Sequence, residues 1–367
     1  MLFLRKYGYL IIFILLMIVA FVQNARKNKQ KNLEIIWLLV GYVFFYSVRN
    51  TSVGFDYKEY LRVYNAAGQM PLDDYLRAYG YMEKGYLLYN WCMAFVRASV
   101  PIFQLGLVIM FVTLLYKYLI VKSENSIFTL FALYGLGIFF NYMNQVRSAL
   151  AAVICLAAVD LAQRKKWLQS FLILAAACMV HTSAVVGIAL VVWIGFGVKI
   201  SRKNLVFLFG LTATAWITFD KILMLMLKIF PRYQGYFAKD KIEIFVKRGS
   251  INYLIVFGAI FALSFYCRRY IKRQNLSSYD VLLWGNVLGM VVSVLCIKIS
   301  MMQRFMTLPL ILSAALLSEA VHSIPRAKLR MCVYCMTSMA LIGYCYIYLY
   351  IAESGMGRDG VVPYAFM

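Results

Sequence analysis

Two arginines lie where apolar segments of the sequence begin, a costly position for a charged side chain. Arg147 stands in Asn144-Gln-Val-Arg-Ser-Ala-Leu at the start of one apolar run, and Arg304, in Met302-Gln-Arg-Phe, has the same position before another. A charge inside hydrocarbon costs roughly 3 kcal/mol or more, so each arginine needs a reason. The structural alternative for Arg147 is an arginine that extends from a helix end to the lipid headgroups. Two arginines at matching depth on separate helices favour a site that binds an anion.

His181 and Glu83 are further candidates, because each could accept a proton. Thr182 and Ser183 follow His181 and could hold one of its ring nitrogens. A histidine at the outer surface could act as a base or bind a hydroxyl near neutral pH, and a histidine that only packs between helices is the alternative. Glu83 places a carboxylate where the chain re-enters an apolar segment.

Asp56 and Tyr60 are four residues apart, so on a helix both side chains share one face. Gly54 permits a tight backbone path into that helix. An aspartate that only caps the helix is the alternative. Farther along, Arg232 lies among aromatic residues in Pro231-Arg-Tyr-Gln-Gly-Tyr236. Such tyrosines either form an interfacial belt or hold sugar rings.

The elements that must position these residues are membrane helices. Of the 367 residues, 63% are hydrophobic and 14% charged, whereas a soluble domain carries roughly a quarter charged residues. Apolar runs close to the ~20 residues of a membrane-spanning helix recur along the chain, and they do not alternate as barrel strands would. The sequence predicts an all-α, polytopic membrane protein. The prediction includes about 12 transmembrane helices in one domain, residues 1–367, plus interfacial or re-entrant helices on the outer side.

The net charge of +23 comes from short basic clusters between the apolar runs, which is typical of cytoplasmic loops rather than of nucleic-acid binding. The first apolar run has no small-residue cleavage site after it, so we expect an uncleaved helix. The cytoplasmic markers are residues 26–31, 164–166, 199–203, 268–273 and 326–330.

If these clusters share one side, residues 167–198 form a hairpin whose tip is His181-Thr-Ser183. Three polar segments are then external, residues 49–84, 220–250 and 353–367, and they hold ten of the 15 acidic residues. Between residues 31 and 164 five apolar segments would violate this parity. The shortest, Gly85–Val96, is predicted to be interfacial or re-entrant; a cytoplasmic amino terminus with residues 26–31 outside is the alternative.

A metal site is not expected. Cys332 and Cys335 lie one helical turn apart in a predicted span, and further ligands are scarce because His181 and His322 are the only histidines.

An ordered set of short motifs resembles the EpsG family of bacterial exopolysaccharide and capsule polymerases, a branch of the Wzy-like polymerases. The resemblance covers nearly the whole chain, and it depends on the order of the motifs, since none is specific alone. The motifs are Arg49 with Gly54-Phe-Asp56 and Tyr60; Glu83-Lys-Gly85-Tyr86; Asn144 with Arg147; His181-Thr-Ser-Ala184; Arg232-Tyr233 with Tyr236; Arg304-Phe305; and Pro363-Tyr364.

The resemblance implies a glycosyltransferase in the bacterial cytoplasmic membrane. Its substrate would be a polyprenyl-diphosphate-linked oligosaccharide, which it would polymerise at the outer face. The energy lies in the sugar-diphosphate bond, so no cofactor, metal or nucleotide is implied. The implied partners are this lipid-linked oligosaccharide, membrane lipid, and possible chain-length regulator and flippase proteins, with no nucleic acid.

On this basis the arginines are expected to stabilise the departing diphosphate and a carboxylate or histidine to accept the hydroxyl proton. The diphosphate candidates are Arg147, Arg304, Arg232 and Arg49; the proton acceptors, in order of preference, are Asp56, His181 and Glu83. Tyr60, Tyr86, Tyr233 and Tyr236 are candidates for contacts with sugars, and Asn144 and Tyr364 complete the expected substrate-binding set.

Three other functions share parts of this pattern. A flippase or transporter of lipid-linked oligosaccharide would have many spans and a cationic interior, but it should contain inverted repeats, and the sequence has no internal repeat. A membrane O-acyltransferase acting on glycans would make His181 indispensable and both arginines dispensable. A ligase that moves a finished glycan uses the same chemistry and is not separated from a polymerase by sequence.

Overall fold

The computed structural model describes residues 8–9, 11–12, 14, 18, 33–198, 200–229, 251–298, 300–351 and 360–365. These residues form helices and connecting turns with no β-strand among them, so the predicted all-α class is confirmed. In chain order from residue 33 the α-helices are α1 Leu33–Ser47, α2 Tyr57–Ala67, α3 Leu72–Ala78, α4 Lys84–Phe95, α5 Val100–Tyr118, α6 Ser126–Gly135, α7 Ile138–Asn144, α8 Val146–Gln163, α9 Trp167–Val180, α10 Val186–Gly195, α11 Arg202–Ile217, α12 Phe219–Ile229, α13 Asn252–Cys267, α14 Arg273–Lys298, α15 Thr307–Ser323 and α16 Ala327–Tyr350.

Five helical segments in the described ranges are long and apolar enough to cross a membrane. They are Val100–Lys122, Val146–Gln163, Arg273–Lys298, Met302–Ser323 and Ala327–Tyr350. Two bent helix pairs raise the number to seven if each pair is one span, and α9 and α10 are apolar but shorter. The chain is thus a multi-pass membrane protein, and the larger number of about 12 spans stays a prediction.

Helix α8 lies at the centre of the bundle, where α5, α9, α10 and α15 contact it. Its interior positions are small, and Ala149, Ala151 and Ala158 are fully buried. Small side chains let neighbouring helices approach closely, and this contact is what holds helices together in lipid. An alanine-rich central helix therefore fixes the positions of its neighbours.

The predicted hairpin over residues 167–198 is confirmed. Gly195 at the end of α10 lies against the Trp167 ring at the start of α9, and Gly187 lies against Leu174 farther along. The two helices therefore run antiparallel, and the turn between them contains His181.

One of the five apolar segments between residues 31 and 164, Phe128–Asn141, is predicted as one helix, and this prediction is wrong. The chain forms α6 and α7 instead, bent by 52°. Gly137 between them has φ of +81°, a left-handed conformation that only glycine adopts readily. The apolar character continues through the bend, so hydropathy alone does not reveal it.

The segment predicted as Gly85–Val96 forms helix α4, which has 12 residues and is too short for the candidate spans. Its start packs closely on the backbone of Met179 at the end of α9. Just after its end, the Ala98 carbonyl accepts a hydrogen bond from Tyr64 of α2, and Phe103 of α5 stacks on the same tyrosine at 4.1 Å between ring centroids. Both ends of α4 thus lie beside the same group of elements, which fits a non-spanning helix. Its membrane side stays a prediction.

The two ends of α8 differ in chemistry. The end with Arg147 meets the segment of residues 49–84, whereas at the other end Asp160 pairs with Lys122 and with Arg164. A cavity of about 570 Å³ opens at this second end, beside Lys272. The 18 residues of α8 span roughly 27 Å at about 1.5 Å per residue, which approaches the thickness of the hydrocarbon core.

Of the three predicted external segments, residues 49–84 are fully described and contain α2 and α3. Residues 360–365 pack against them, because the Asn50 and Gly54 N–H groups donate to the carbonyls of Ala365 and Gly360 at 2.8 and 2.9 Å. Residues 230–250 and 352–359 lie outside the described part, and residues 219–229 form α12.

Candidate active site

Arg147, the second residue of α8, is buried and paired. Only 8% of the residue is exposed, and its Nη1 donates to Glu83. The guanidinium lies over the rings of Tyr60 and Tyr86, with its carbon 5.5 and 5.6 Å from the ring centroids. The alternative that Arg147 reaches lipid headgroups is therefore wrong, because the side chain points into protein. Its Nε has no hydrogen-bond partner.

Glu83 joins three elements at this point. It precedes α4, it binds Arg147 of α8 through Oε2, and its Oε1 accepts from the N–H and hydroxyl of Thr182 at 3.1 and 3.2 Å. Burial alone would raise the pKa of the Glu83 carboxyl, but His181, Arg147 and the Thr182 N–H outweigh it and lower the pKa below its usual value. Glu83 is thus an ionised group that ties α4, α8 and the hairpin tip together.

Asp56 and Arg304 form the second ion pair of the site, at 3.1 Å. About a third of each side chain is exposed, 33% for Asp56 and 36% for Arg304. Asp56 precedes α2 but its side chain makes no capping hydrogen bond, so the alternative of a capping aspartate is wrong. The Asp56 N–H donates to Asn144 Oδ1 at 2.9 Å, which fixes the start of α2 on the end of α7.

Two serines connect the two arginines to His181. Ser148, next to Arg147, donates to the Arg304 carbonyl at 2.9 Å and lies 3.1 Å from the Ser183 hydroxyl. That hydroxyl lies 2.8 Å from His181 Nδ1. Ser183 therefore holds one ring nitrogen of His181, as the sequence predicts.

The backbone fixes the tautomer of the neutral His181 ring. The Ser183 N–H donates to Nδ1 at 3.1 Å, and a backbone N–H can only donate. Nδ1 must then carry a lone pair, and the proton of the neutral ring is on Nε2.

The loop before Asp56 is built on Arg49 and Gly54. Gly54 has φ of +99°, and a side chain there would come within 2.7 Å of the Met143 carbonyl. Arg49 is fully buried. It donates to the same carbonyl, to Gln104 Oε1 at 3.1 Å and to the Tyr46 hydroxyl at 3.2 Å. A glycine and a buried guanidinium thus hold the loop on the end of α7.

The structure brings most of the predicted site residues together. Arg49 is fully buried next to the cluster and does not face it. The Tyr364 hydroxyl donates a hydrogen bond to the Phe45 carbonyl. Arg232, Tyr233 and Tyr236 lie outside the described residues. The residues that meet at the end of α8 are Asp56, Tyr60, Glu83, Tyr86, Asn144, Arg147, His181 and Arg304.

Sequence reasoning missed Ser148 as the residue that joins Arg147 to the Arg304 segment. A serine near the start of a helix is common and uncharged, so its position carries no energetic cost that would single it out. Its contact is with a backbone carbonyl, which leaves no complementary side chain to find. Its place beside Arg147 is the one signal in the sequence.

The charges of the cluster and of Arg49 behind it are three guanidinium groups against two carboxylates. This balance favours an anionic ligand. Across the described ranges, no three His, Cys, Asp or Glu side chains are grouped so that they could hold a metal ion.

Comparison with known proteins gives one match. The EpsG family model matches residues 34–366, nearly the whole chain. No curated protein and no solved structure matches the chain.

Proposed function

The chain belongs to the EpsG family, and from this membership and the two arginines of the site we propose that it is a polysaccharide polymerase. It would join oligosaccharide repeat units carried on polyprenyl diphosphate at the outer face of the bacterial cytoplasmic membrane. The observation that carries the proposal is the meeting of Arg147 and Arg304 at one end of α8, each paired with a carboxylate.

The reaction needs an acceptor hydroxyl, a leaving group and a proton acceptor. The hydroxyl oxygen of the incoming unit forms a bond to the anomeric carbon of the growing glycan. The bond between that carbon and the diphosphate oxygen breaks, and the lipid diphosphate leaves with the electron pair. The hydroxyl proton goes to a base of the protein.

Arg304 is suited to contact the departing diphosphate first. It is partly exposed, and its Nη2 binds Asp56, whereas no described residue accepts a hydrogen bond from its Nε or Nη1, so these remain for phosphate oxygens. Guanidinium groups bind phosphates through two parallel hydrogen bonds. Arg147 is more buried than Arg304 and lies against Tyr60 and Tyr86. Its charge would stabilise the leaving group without direct contact.

Asp56 is the best proton acceptor of the three candidates. Its Oδ2 binds Arg304, and no group in the described part of the chain donates to its Oδ1. Glu83 has both oxygens occupied. His181 uses the Nδ1 lone pair for the Ser183 N–H, so its neutral ring can only donate from Nε2. We assign positioning to Glu83 and hydrogen-bond donation to His181.

The deciding experiment uses the purified full chain in lipid nanodiscs with a lipid-diphosphate repeat unit and follows product length. We expect Asp56→Asn and Arg304→Ala to lower the rate of lengthening by about 100-fold or more, as loss of a general base or of a charge-stabilising donor does. The control is Arg164→Ala, which removes a 60% exposed arginine paired with Asp160 at the other end of α8.

The control should lengthen chains at the wild-type rate. Wild-type lengthening in both site variants would refute the proposed roles of Asp56 and Arg304, and no lengthening by the wild-type protein would refute the proposed polymerase. No lengthening by the wild type, together with acyl transfer to the glycan that His181→Gln abolishes and that Arg147→Ala and Arg304→Ala retain, would instead identify an acyltransferase.

A further inference from the structure

Four side chains outside the candidate active site are joined by hydrogen bonds and ring contacts on the segment of residues 49–84. We call Glu59, Arg62, Tyr79 and Tyr81 the tyrosine patch. Arg62 donates two hydrogen bonds to Glu59, from Nε to Oε2 at 2.9 Å and from Nη2 to Oε1 at 2.6 Å. The Tyr81 hydroxyl donates to Glu59 Oε1 at 2.5 Å and accepts from Arg62 Nη2 at 3.1 Å.

The patch presents aromatic rings on a fixed base. Tyr81 is 49% exposed although its hydroxyl is held. Its ring centroid lies 6.1 Å from that of Tyr79, and the Arg62 guanidinium carbon lies 5.8 Å from the Tyr79 ring. Tyr75 beneath is fully buried and donates to the Val63 carbonyl. Rings held in this way bind a ligand at little cost in conformational entropy.

The patch continues the accessible side of the active site. Asp56, Glu59 and Arg62 follow one another at intervals of three on α2, so they share one side of the helix. Arg62 lies about 9 Å along the axis from Asp56 at about 1.5 Å per residue. Arg62 first, and more weakly the charge of Arg147, lowers the pKa of Glu59, which is a second sign that the two sites are close.

The chemistry of the patch fits a neutral polyhydroxyl ligand. Glu59 occupies both Nε and Nη2 of Arg62, and Tyr81 also binds Nη2, so this edge of the guanidinium is not open to a phosphate. Exposed ring faces can pack on the apolar face of a sugar, and the carboxylate, guanidinium and hydroxyl can bond its hydroxyls. Burial and the Glu59 carboxylate raise the pKa of the Tyr81 hydroxyl to about 12, against the opposite effect of Arg62, so it stays protonated at neutral pH.

We propose that the tyrosine patch is a saccharide-binding subsite, which holds sugar residues of the glycan next to the residue that reacts at Asp56. This inference rests on the proposed polymerase function. It extends the site by one surface that neither the family match nor the sequence motifs assign.

The test is binding of short oligosaccharides, cut from the cell's own purified surface polysaccharide, to the full chain in nanodiscs. We expect Tyr81→Ala and Arg62→Ala to raise the dissociation constant by about fivefold, the size of one lost aromatic contact. In the polymerisation assay both variants should give shorter products than the wild type.

The matched control is Arg77→Ala. Arg77 forms an exposed pair with Asp74 at the same spacing of three residues, 3.9 Å apart, on the neighbouring helix α3. It should leave both the dissociation constant and the product length unchanged. Tyr81→Phe keeps the ring and loses its hydrogen bonds, so its dissociation constant should lie between those of the wild type and Tyr81→Ala.

Three outcomes would overturn the subsite. They are no binding of the oligosaccharide by the wild type, unchanged binding by folded Tyr81→Ala and Tyr81→Phe, and binding of inorganic diphosphate or a peptide at the patch in its place. The polymerase itself is judged separately, because it fails when the wild-type protein does not lengthen chains, whatever Tyr81→Ala does.

Discussion

The Glu83 carboxylate binds Arg147 and Thr182 at once, and both Glu83 and Arg147 are 10% exposed at their side chains. We expect Glu83→Gln to lower the free energy of unfolding by about 3 kcal/mol at pH 7, since it leaves a buried guanidinium without its partner. The pKa of Glu83 is lowered in the folded protein. Its stabilisation is therefore complete above the unfolded pKa of about 4.3 and is lost as pH falls through the folded pKa.

The measurement is thermal unfolding of both proteins in detergent from pH 8 downward. The difference between them should stay constant to about pH 5 and shrink below about pH 4. Asp74→Asn, which breaks an exposed pair, should cost less than about 1 kcal/mol. A difference that grows on acidification would contradict the ionised state of Glu83.

At this scale the sequence reveals the charged residues of the site but not the neutral ones. Arg147 and Arg304 stand out because a charge beside an apolar run needs a partner. Ser148 and the backbone carbonyl of Arg304 carry no such cost, so their hydrogen bond could be found only in three dimensions. Asp56 stays the predicted first choice of proton acceptor, and no group among the described residues donates to its Oδ1.

The loop between α1 and α2 depends on one glycine. Gly54 combines a φ of +99° with a carbonyl 2.7 Å from where a side chain would begin. We expect Gly54→Ala to destabilise the protein by about 2 kcal/mol, the cost of a strained backbone position. It should also slow polymerisation, because Asp56 is two residues away.

Gly258→Ala in α13 is the control. A side chain there meets nothing within 4 Å and its backbone is helical, so the variant should be as stable as the wild type or more so. Differential scanning fluorimetry and the lengthening assay compare the two. Equal stability of both alanine variants would show that the loop tolerates a different path.

The ends of helices can be predicted where the hydropathy of the sequence changes, but a bend within a continuous apolar run cannot. The bounds of α1 agree with its apolar run, and the hairpin over residues 167–198 follows from the basic clusters that flank it. The bend at Gly137 has no polar residue to mark it, because the glycine packs on the Tyr348 ring inside the bundle. Parity predicts that α4 is the segment that does not cross, and this stays a prediction.

The whole molecule has two chemically distinct ends, and labelling can assign each to a side of the membrane. In a background without native cysteines, we expect Thr51→Cys to react with an impermeant maleimide added outside intact cells. Lys328→Cys, near the other end, should react only after the cells are opened. Both positions are exposed, so burial does not explain a difference. Labelling of Lys328→Cys in intact cells would show that the orientation is opposite to the proposed one.

The contacts of the site connect parts of the chain that are made at very different times. Asp56 meets Arg304, 248 positions later, and the loop that carries Asp56 receives its backbone partners from residues 360–365. During insertion by the ribosome, early helices therefore enter the membrane with an unfinished reaction centre. The proposed site can therefore be complete only after the last helices have been inserted, so the order of synthesis delays the onset of the proposed activity.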